Sequence, residues 1–267
     1  HPAATVIVVE DIGKDDDSEA WAAYTRSFLG YTPDTVFTSE EYGDAYARFM
    51  GCKHVQVDKE RRTVCVSGTA IRTNPLDHWE FLEAPVRAFF AKRICIVGAE
   101  STGKTTLAQA LADHFKTSWV PEYGRFYSEA KWGSRYGASW ATQEFIHIAG
   151  QQNLIEDQVA RTCNRILICD TDSFATSLWH ERYVGRMASE VAVCSAGRRY
   201  DLYLLTDDAI PFVQDGFRDG EHVRHAMHRR FVEELTLRAT PYLLLSGSHE
   251  MRLAAAITAC NHVLRQQ

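Results

Sequence analysis

No apolar run in the 267 residues approaches the ~18 that a membrane-spanning helix needs, and residues 1–20 lack the basic, apolar, small-residue order of a signal peptide. A soluble, cytoplasmic protein with no membrane partner is expected. No Cys-x-x-Cys spacing occurs among the seven cysteines; their odd number and their places in apolar, strand-like runs predict reduced, buried thiols rather than disulfides or zinc ligands. Basic excess is missing too. Lys and Arg number 29 against 35 Asp and Glu, a formal charge of -6, which speaks against the basic stripe of a sequence-independent nucleic-acid binder. Repeats, charge blocks and low-complexity tracts are lacking. At 45% apolar and 24% charged residues, with 16 Gly and 7 Pro, disordered and collagen-like classes are excluded. At roughly 150 residues per domain the length allows one large or two small domains, each with a real core.

What is present is alternation. Thr5 to Val9 reads as a strand entered almost at once, as if the chain began inside a domain. A helix over Ser18 to Leu29, a strand Thr35 to Thr38, a helix Glu40 to Met50 and a strand Lys53 to Val57 follow, and Val64 to Arg72 leads from a strand into a helix. Pro75 and Pro85 punctuate the passage to Phe89-Phe90-Ala91, which places a domain boundary at 91/92. Beyond it, strand-like runs at Arg93 to Val97, Ser118 to Pro121, Arg165 to Cys169, Leu202 to Leu205 and Tyr242 to Leu245 alternate with helices. Those helices are Lys104 to Phe115, Trp140 to Arg161, Ser173 to Tyr183, Glu221 to Arg238 and His249 to Leu264. Strand and helix in alternation predict an α/β fold with a doubly wound parallel sheet.

One motif carries chemistry directly. Gly98-Ala99-Glu100-Ser101-Thr102-Gly103-Lys104-Thr105-Thr106 fits G-x-x-x-x-G-K-[ST] between an apolar strand and an amphipathic helix, the context that this motif requires. Its glycines let backbone N–H groups converge on phosphate oxygens, the helix N-terminus adds its positive end, and Lys104 supplies a full charge. ATP is the implied cofactor, with Thr105 as a ligand of Mg²⁺.

Phosphoryl transfer also needs acids near the strand ends, one for the metal and one for the attacking hydroxyl. Asp170-Thr171-Asp172 and Glu122-Tyr123-Gly124-Arg125 follow two strands. Asp170 takes the metal position, and Glu122 and Asp172 are both candidates for the base. Either acid alone could equally cap the helix that it precedes; together, beside a phosphate loop, they favour function. The stretch Thr206 to Gly220 carries Pro211, Gly216, Arg218 and Gly220, which suits a lid closing over phosphates. Arg218 is the candidate there and Arg224 a weaker one. Aromatics cluster after Glu122: Tyr123, Phe126, Tyr127, Trp132, Tyr136 and Trp140. Most belong in a core, but one or two could stack on a planar base, and a cationic base would gain about 0.5 to 2 kcal/mol from the ring. His147, His180, His222, His225 and His228 show no metal spacing with carboxylates and read as core or surface residues.

GAESTGKTTLAQALA, VPEYGR, LICDTDS and PFVQDGFR, in this order, resemble the kinase domain of the NadR-type bifunctional family, in which a nicotinamide-nucleotide adenylyltransferase is fused to a nicotinamide riboside kinase. The resemblance covers residues 92–267. Upstream, VSGTAIRTNPLDHWEFL resembles the C-terminal part of that family's Rossmann-like adenylyltransferase domain, over residues 1–91. The resemblance implies ATP-dependent phosphorylation of N-ribosylnicotinamide to NMN, with Lys104, Glu122, Asp172, Arg125 and Arg218 catalytic and Gly98, Glu100, Ser101, Thr102, Gly103, Lys104, Thr105 and Thr106 on ATP. It further implies Thr105 and Asp170 on Mg²⁺, and Glu122, Tyr123, Arg125, Tyr127, Trp132 and Asp172 on the nucleoside. Ser67, Thr69 and Arg72 would bind ATP phosphates in the upstream part. The family's G-x-F-x-P-x-H-x-G-H opening is not in the sequence, so NAD synthesis from NMN is not expected of this chain alone; the helix-turn-helix of some members is also missing, which leaves a repressor role unsupported. The partners implied are nicotinamide riboside, ATP and NMN or NAD, with a homo-oligomer left open. A kinase for another nucleoside and a non-catalytic ATP- and NAD-sensing module are the rival readings.

Overall fold

The computed structural model describes residues 3–132, 139–210 and 221–266. The chain forms two compact units, His1–Thr69 and Ala70–Gln267.

The smaller unit contains helix α1 (Ser18–Leu29), strand β1 (Thr35–Thr38), helix α2 (Gly43–Met50) and strand β2 (Lys53–Gln56). The Asp17 carboxylate caps α1 by accepting from Ala20 N at 2.9 Å, and Gly30, at φ 73°, ends it in the left-handed region that a Cβ would disfavour. β1 and β2 pair in parallel, Thr35 opposite Lys53. The strand expected at Thr5 to Val9 does not form: these residues have no regular structure and Val6 and Val8 are 87% and 93% exposed. A β-branched apolar run becomes a strand only where a neighbour takes its ladder hydrogen bonds. Val64 to Val66 is likewise not a strand, because Val66 N turns back to Val64 O at 2.8 Å. A short helix, α3 (Gly68–Thr73), follows.

The larger unit continues with α4 (Ala84–Phe90), β3 (Lys92–Val97), α5 (Lys104–Phe115), β4 (Trp119–Val120), α6 (Tyr123–Trp132), α7 (Thr142–Val159) and β5 (Ile166–Asp170). Then come α8 (Ser173–Val184), α9 (Ser189–Ala192), β6 (Leu202–Thr206), α10 (Arg224–Leu237), β7 (Tyr242–Leu245) and α11 (His249–Arg265). Its five strands are all parallel, in the order β4-β5-β3-β6-β7. β3 is central, with Cys95 opposite both Cys169 and Tyr203. Alternate β3 residues feed two cores. Cys95 and Val97 join Leu167, Cys169, Phe174 and Phe231 on one face, while Ile94 and Ile96 join Leu107, Leu111, Ala256 and Cys260 on the other. Burial on both faces explains the near-continuous apolar character of these strands. This is the parallel-sheet α/β P-loop kinase fold.

The larger unit opens upstream of the boundary expected at 91/92. Leu76, Trp79, Leu82 and Ala91 share a core with Cys95, Val97 and Leu167. Trp79 Nε1 donates to Cys163 O at 3.2 Å and Arg165 Nε to Leu76 O at 2.6 Å. Proline punctuation marks where a chain turns; where it packs is decided by large apolar side chains such as Trp79.

All seven cysteines are free, with Cys95, Cys163, Cys169 and Cys260 buried and Cys65 exposed. Among the described residues no helix is long and apolar enough to cross a membrane.

Candidate active site

The carboxyl ends of β3, β4 and β5 bring the chemistry together, as the crevice of a doubly wound sheet predicts. β3 ends in Val97, and the loop that follows turns on Gly98 at φ 148°, where a Cβ would collide with the Thr206 hydroxyl at the end of β6. Thr102 Oγ1 donates to Ala99 O at 2.8 Å and lies 2.6 Å from Thr206 Oγ1, which closes the loop from inside. Ser101 and Gly103 adopt φ of 57° and 77°, a curl that turns backbone N–H groups inward as an anion nest. Lys104 opens α5, and its ammonium donates to Gly98 O at 3.1 Å and Ala99 O at 2.9 Å.

Thr105 Oγ1 donates to Asp170 Oδ2 at 2.5 Å. Asp170 is buried, and its Oδ1 has no hydrogen-bond partner among the described residues. A hydroxyl beside a carboxylate that keeps an oxygen in reserve suits a hard cation such as Mg²⁺. Burial pushes the Asp170 carboxyl above its usual range, opposed by Lys104 and the Thr105 hydrogen bond. Next to it Thr171, β-branched, sits at φ 71°, a strained conformation of the kind that concentrates at functional sites.

A pocket of about 390 Å³ opens over this loop, lined by Glu100 to Thr106, Glu122, Gly124, Arg125, Ser128, Glu129, Trp140, Phe145, Ile148, Thr171, Thr176, Trp179 and Tyr183. Glu122, between β4 and α6, is raised to about 7, chiefly by burial and further by Asp170 and Glu100, while Lys104 and Arg125 pull it down. A carboxyl titrating near neutrality can take a proton from a hydroxyl at physiological pH. Arg125 lines the same pocket, its Nε donating to Glu129 Oε1 at 2.9 Å.

The two acids that the sequence left open as base candidates are separated by geometry. Asp172 is fully buried, outside the pocket lining, and caps α8 by accepting from Ala175 N at 2.8 Å; its other oxygen accepts from Tyr203 Oη at 2.6 Å. Burial raises it to about 6 against these two hydrogen bonds. Tyr123 and Tyr127 also stand off the pocket lining, Tyr123 Oη 3.2 Å from His147 Nε2 and Tyr127 Oη donating to Glu144 Oε1 at 3.1 Å. Arg224 is buried and donates to Ile210 O at 2.6 Å, a structural anchor. Thr69 and Arg72 lie on α3 and Ser67 just before it. Residues 211–220 with Arg218, as well as Tyr136 and the side chain of Trp132, fall outside the described residues.

Residues 93–252 match the family described as AAA domain. The chain belongs to that family. It is 34% identical over 207 residues to the trifunctional NAD biosynthesis/regulator protein NadR of Escherichia coli (strain K12), an alignment covering 75% of this chain and 50% of that one. The NadR of Salmonella typhimurium (strain LT2) is 33% identical over 225 residues, covering 81% and 54%. The chain thus spans about half the length of the curated relatives it matches. A crystal structure of NadR in complex with NR superposes with a TM-score of 0.73 at 23% identity, covering 97% of this chain and 76% of that one. NadR in complex with NAD and AMP-PNP gives 0.72 at 20% identity, covering 98% and 77%. The resemblance read from the motifs is borne out.

In this AAA domain three features escaped the sequence reading. Trp179 and Tyr183, with Thr176, form the α8 side of the pocket; their i, i+3, i+7 spacing was the available signal. Ring centroids of Trp140 lie 5.1 Å from Phe145 and 5.4 Å from Tyr183, so these three side chains and Trp179 make an aromatic wall. Gln152, buried on α7, accepts from Tyr123 N at 2.8 Å and donates to Pro121 O at 3.3 Å, which clamps the backbone on both sides of Glu122. Asp207, Asp208 and His228 also gather three possible ligand atoms within 4.8 Å of one another, a grouping across two elements with no sequence spacing to announce it.

Proposed function

We propose that this chain is a nicotinamide riboside kinase, transferring the γ-phosphoryl group of ATP to the 5′-hydroxyl of N-ribosylnicotinamide to give ADP and NMN. The observation that carries this reading is one pocket in which a phosphate loop, a near-neutral carboxyl and an aromatic wall face each other. The likeness to NadR, solved with NR and with NAD and AMP-PNP, supports the choice of nucleoside.

Gly98 to Thr106 hold the triphosphate, and the Lys104 ammonium together with the α5 N-terminus offsets charge on the γ-phosphoryl. Thr105 and Asp170 hold Mg²⁺, which supplies charge neutralisation on the phosphates when bound. The Glu122 carboxylate orients the 5′-hydroxyl and accepts its proton as the O–P bond forms and the bond to the β-phosphate oxygen breaks. Asp172, with both oxygens engaged, stabilises the start of α8. Arg125 and Arg218 steady the transferring group. The wall of Trp140, Phe145, Trp179 and Tyr183 takes the planar cationic base. Little covalent chemistry is asked of the protein; positioning and electrostatics supply the rate.

We read residues 1–91 as the C-terminal part of a nucleotidylyltransferase-like domain in which Ser67, Thr69 and Arg72 bind phosphate, without NMN adenylyltransferase activity in this chain alone. A panel of nucleosides with ATP and Mg²⁺, read by ADP release and phosphorus NMR of the product, tests the assignment. Preferential conversion of N-ribosylnicotinamide is expected. Preference for a neutral nucleoside would move the reading to another nucleoside kinase, and ATP binding without transfer to any nucleoside would move it to a sensing module.

A further inference from the structure

Arg252 sits in the first turn of α11, 150 residues along the chain from the loop that it touches. It is 6% exposed. Its Nη1 donates to Thr102 O at 2.9 Å and its Nε to Ser248 O at 3.4 Å. Both partners are neutral carbonyls, and no carboxylate pairs with the guanidinium among the described residues. Glu250, two residues away, is exposed and accepts instead from the Ser248 hydroxyl at 2.7 Å.

The Ser248 hydroxyl and, to a lesser degree, the Arg252 guanidinium lower the Glu250 carboxyl, but that acid lies at the exposed surface, and a buried charge without a buried counter-charge is costly. Its place in the fold gives that cost a use. A Cβ built on Gly103 would come 3.4 Å from Nη1 and 3.7 Å from Nη2, so the guanidinium lies directly behind the last residue of the phosphate loop, at the N-terminus of α5. The hydrogen bond to Thr102 O has a geometric consequence as well. In a trans peptide the C=O of one residue and the N–H of the next point in opposite directions. Drawing Thr102 O toward α11 therefore turns the Gly103 N–H away from α11, and Gly103 lines the pocket.

We propose that Arg252 is a positioning residue of the nucleotide site, aiming the Gly103 N–H at the polyphosphate and setting behind the loop a buried positive charge that the polyphosphate balances. The proposal rests on the nucleotide-binding reading above. Because the charge acts through the loop, its effect must scale with the number of phosphates on the ligand.

The test is calorimetric titration of the full chain with ATP, ADP and adenosine in Mg²⁺, comparing wild type with R252Q, R252K and, as a control on the same helix, C260A. Arg252→Gln keeps donors and loses charge; it should weaken ATP about tenfold or more, ADP less, and adenosine less than twofold. Arg252→Lys keeps the charge and should fall between wild type and R252Q. The control should leave the ATP-to-adenosine ratio unchanged, whatever it does to the melting temperature. ATP affinity untouched in R252Q, an equal loss for adenosine, or the same ratio change in the control would each overturn the assignment of Arg252. A wild-type chain that binds neither ATP nor ADP would overturn the nucleotide reading itself, and this proposal with it.

Discussion

Thr105 and Asp170 meet at 2.5 Å, hydroxyl to carboxylate, across the gap between the start of α5 and the end of β5. The contact ties the phosphate loop to the neighbouring strand end, and the second Asp170 oxygen stays buried and unpartnered among the described residues. Asp170→Asn removes the charge while keeping the shape. It should raise the Mg²⁺ concentration needed for half-maximal activity by about tenfold or more, since a hard cation is held mainly by the charge of its oxygen ligands; a magnesium titration at saturating ATP checks this.

Lys104→Ala should lower kcat by ~10²-fold or more, the scale of losing one donor to developing transition-state charge. Its ammonium is held by two loop carbonyls rather than by the core, so the variant should stay folded. Steady-state kinetics and circular dichroism on the same sample separate the two effects.

Glu122 sets a pH dependence in two readouts. Its folded-state value of about 7 lies above the ordinary 4.5, so activity should climb as pH rises through about 7 and the carboxylate forms. Stability runs the other way. The folded state holds the proton more tightly than the unfolded chain, so this group's contribution is full below about 4.5 and is lost as pH rises through about 7. Glu122→Gln should depress kcat, leave ATP affinity close to unchanged, and flatten that part of the denaturation profile.

Asp172→Asn should behave differently from Glu122→Gln. Its oxygens serve Ala175 N and Tyr203 Oη; Asn keeps an acceptor for the cap, so the expected loss of melting temperature, about 1 kcal/mol or more, comes from the Tyr203 hydroxyl that loses its carboxylate acceptor. If kcat fell far more in Asp172→Asn than in Glu122→Gln, the role of base would move to Asp172.

Gln152→Leu removes the clamp around Glu122 without touching the phosphate loop. Two backbone groups, Tyr123 N on a half-buried residue and Pro121 O on an exposed one, lose their partner, at about 1 kcal/mol each, and kcat should drop about tenfold, with KM for ATP little changed. A matching rise in KM for ATP would show general loosening of the unit instead.

These residues also show how far a sequence can be read. The phosphate loop, the five strands and the acids at their ends are local signals: a fixed spacing, an apolar run, a carboxylate just past it. Each was legible because strand and helix periodicity position such residues without help from distant chain. Tyr203 is not local to Asp172, nor Gln152 to Glu122, nor Trp179 to Trp140, and it is those long-range partners that decide which acid caps, which backbone is pinned and which rings wall the pocket. The β-branched apolar run at Thr5 to Val9 misled for the same reason, because composition alone does not supply a ladder neighbour.

The burial of Trp79 and Leu82 against Cys95 and Leu167 bears on how this protein can be divided. A fragment begun at Lys92, where the phosphate-loop strand starts, would arrive with a hole in one face of its sheet and with Cys163 O deprived of its indole donor. Shortening from the front should therefore be tolerated down to the neighbourhood of Ala70 and punished sharply after Leu76. The seam along which the chain can be cut and the seam between its two sequence resemblances are different places, and the residues between them serve as the floor of the larger unit.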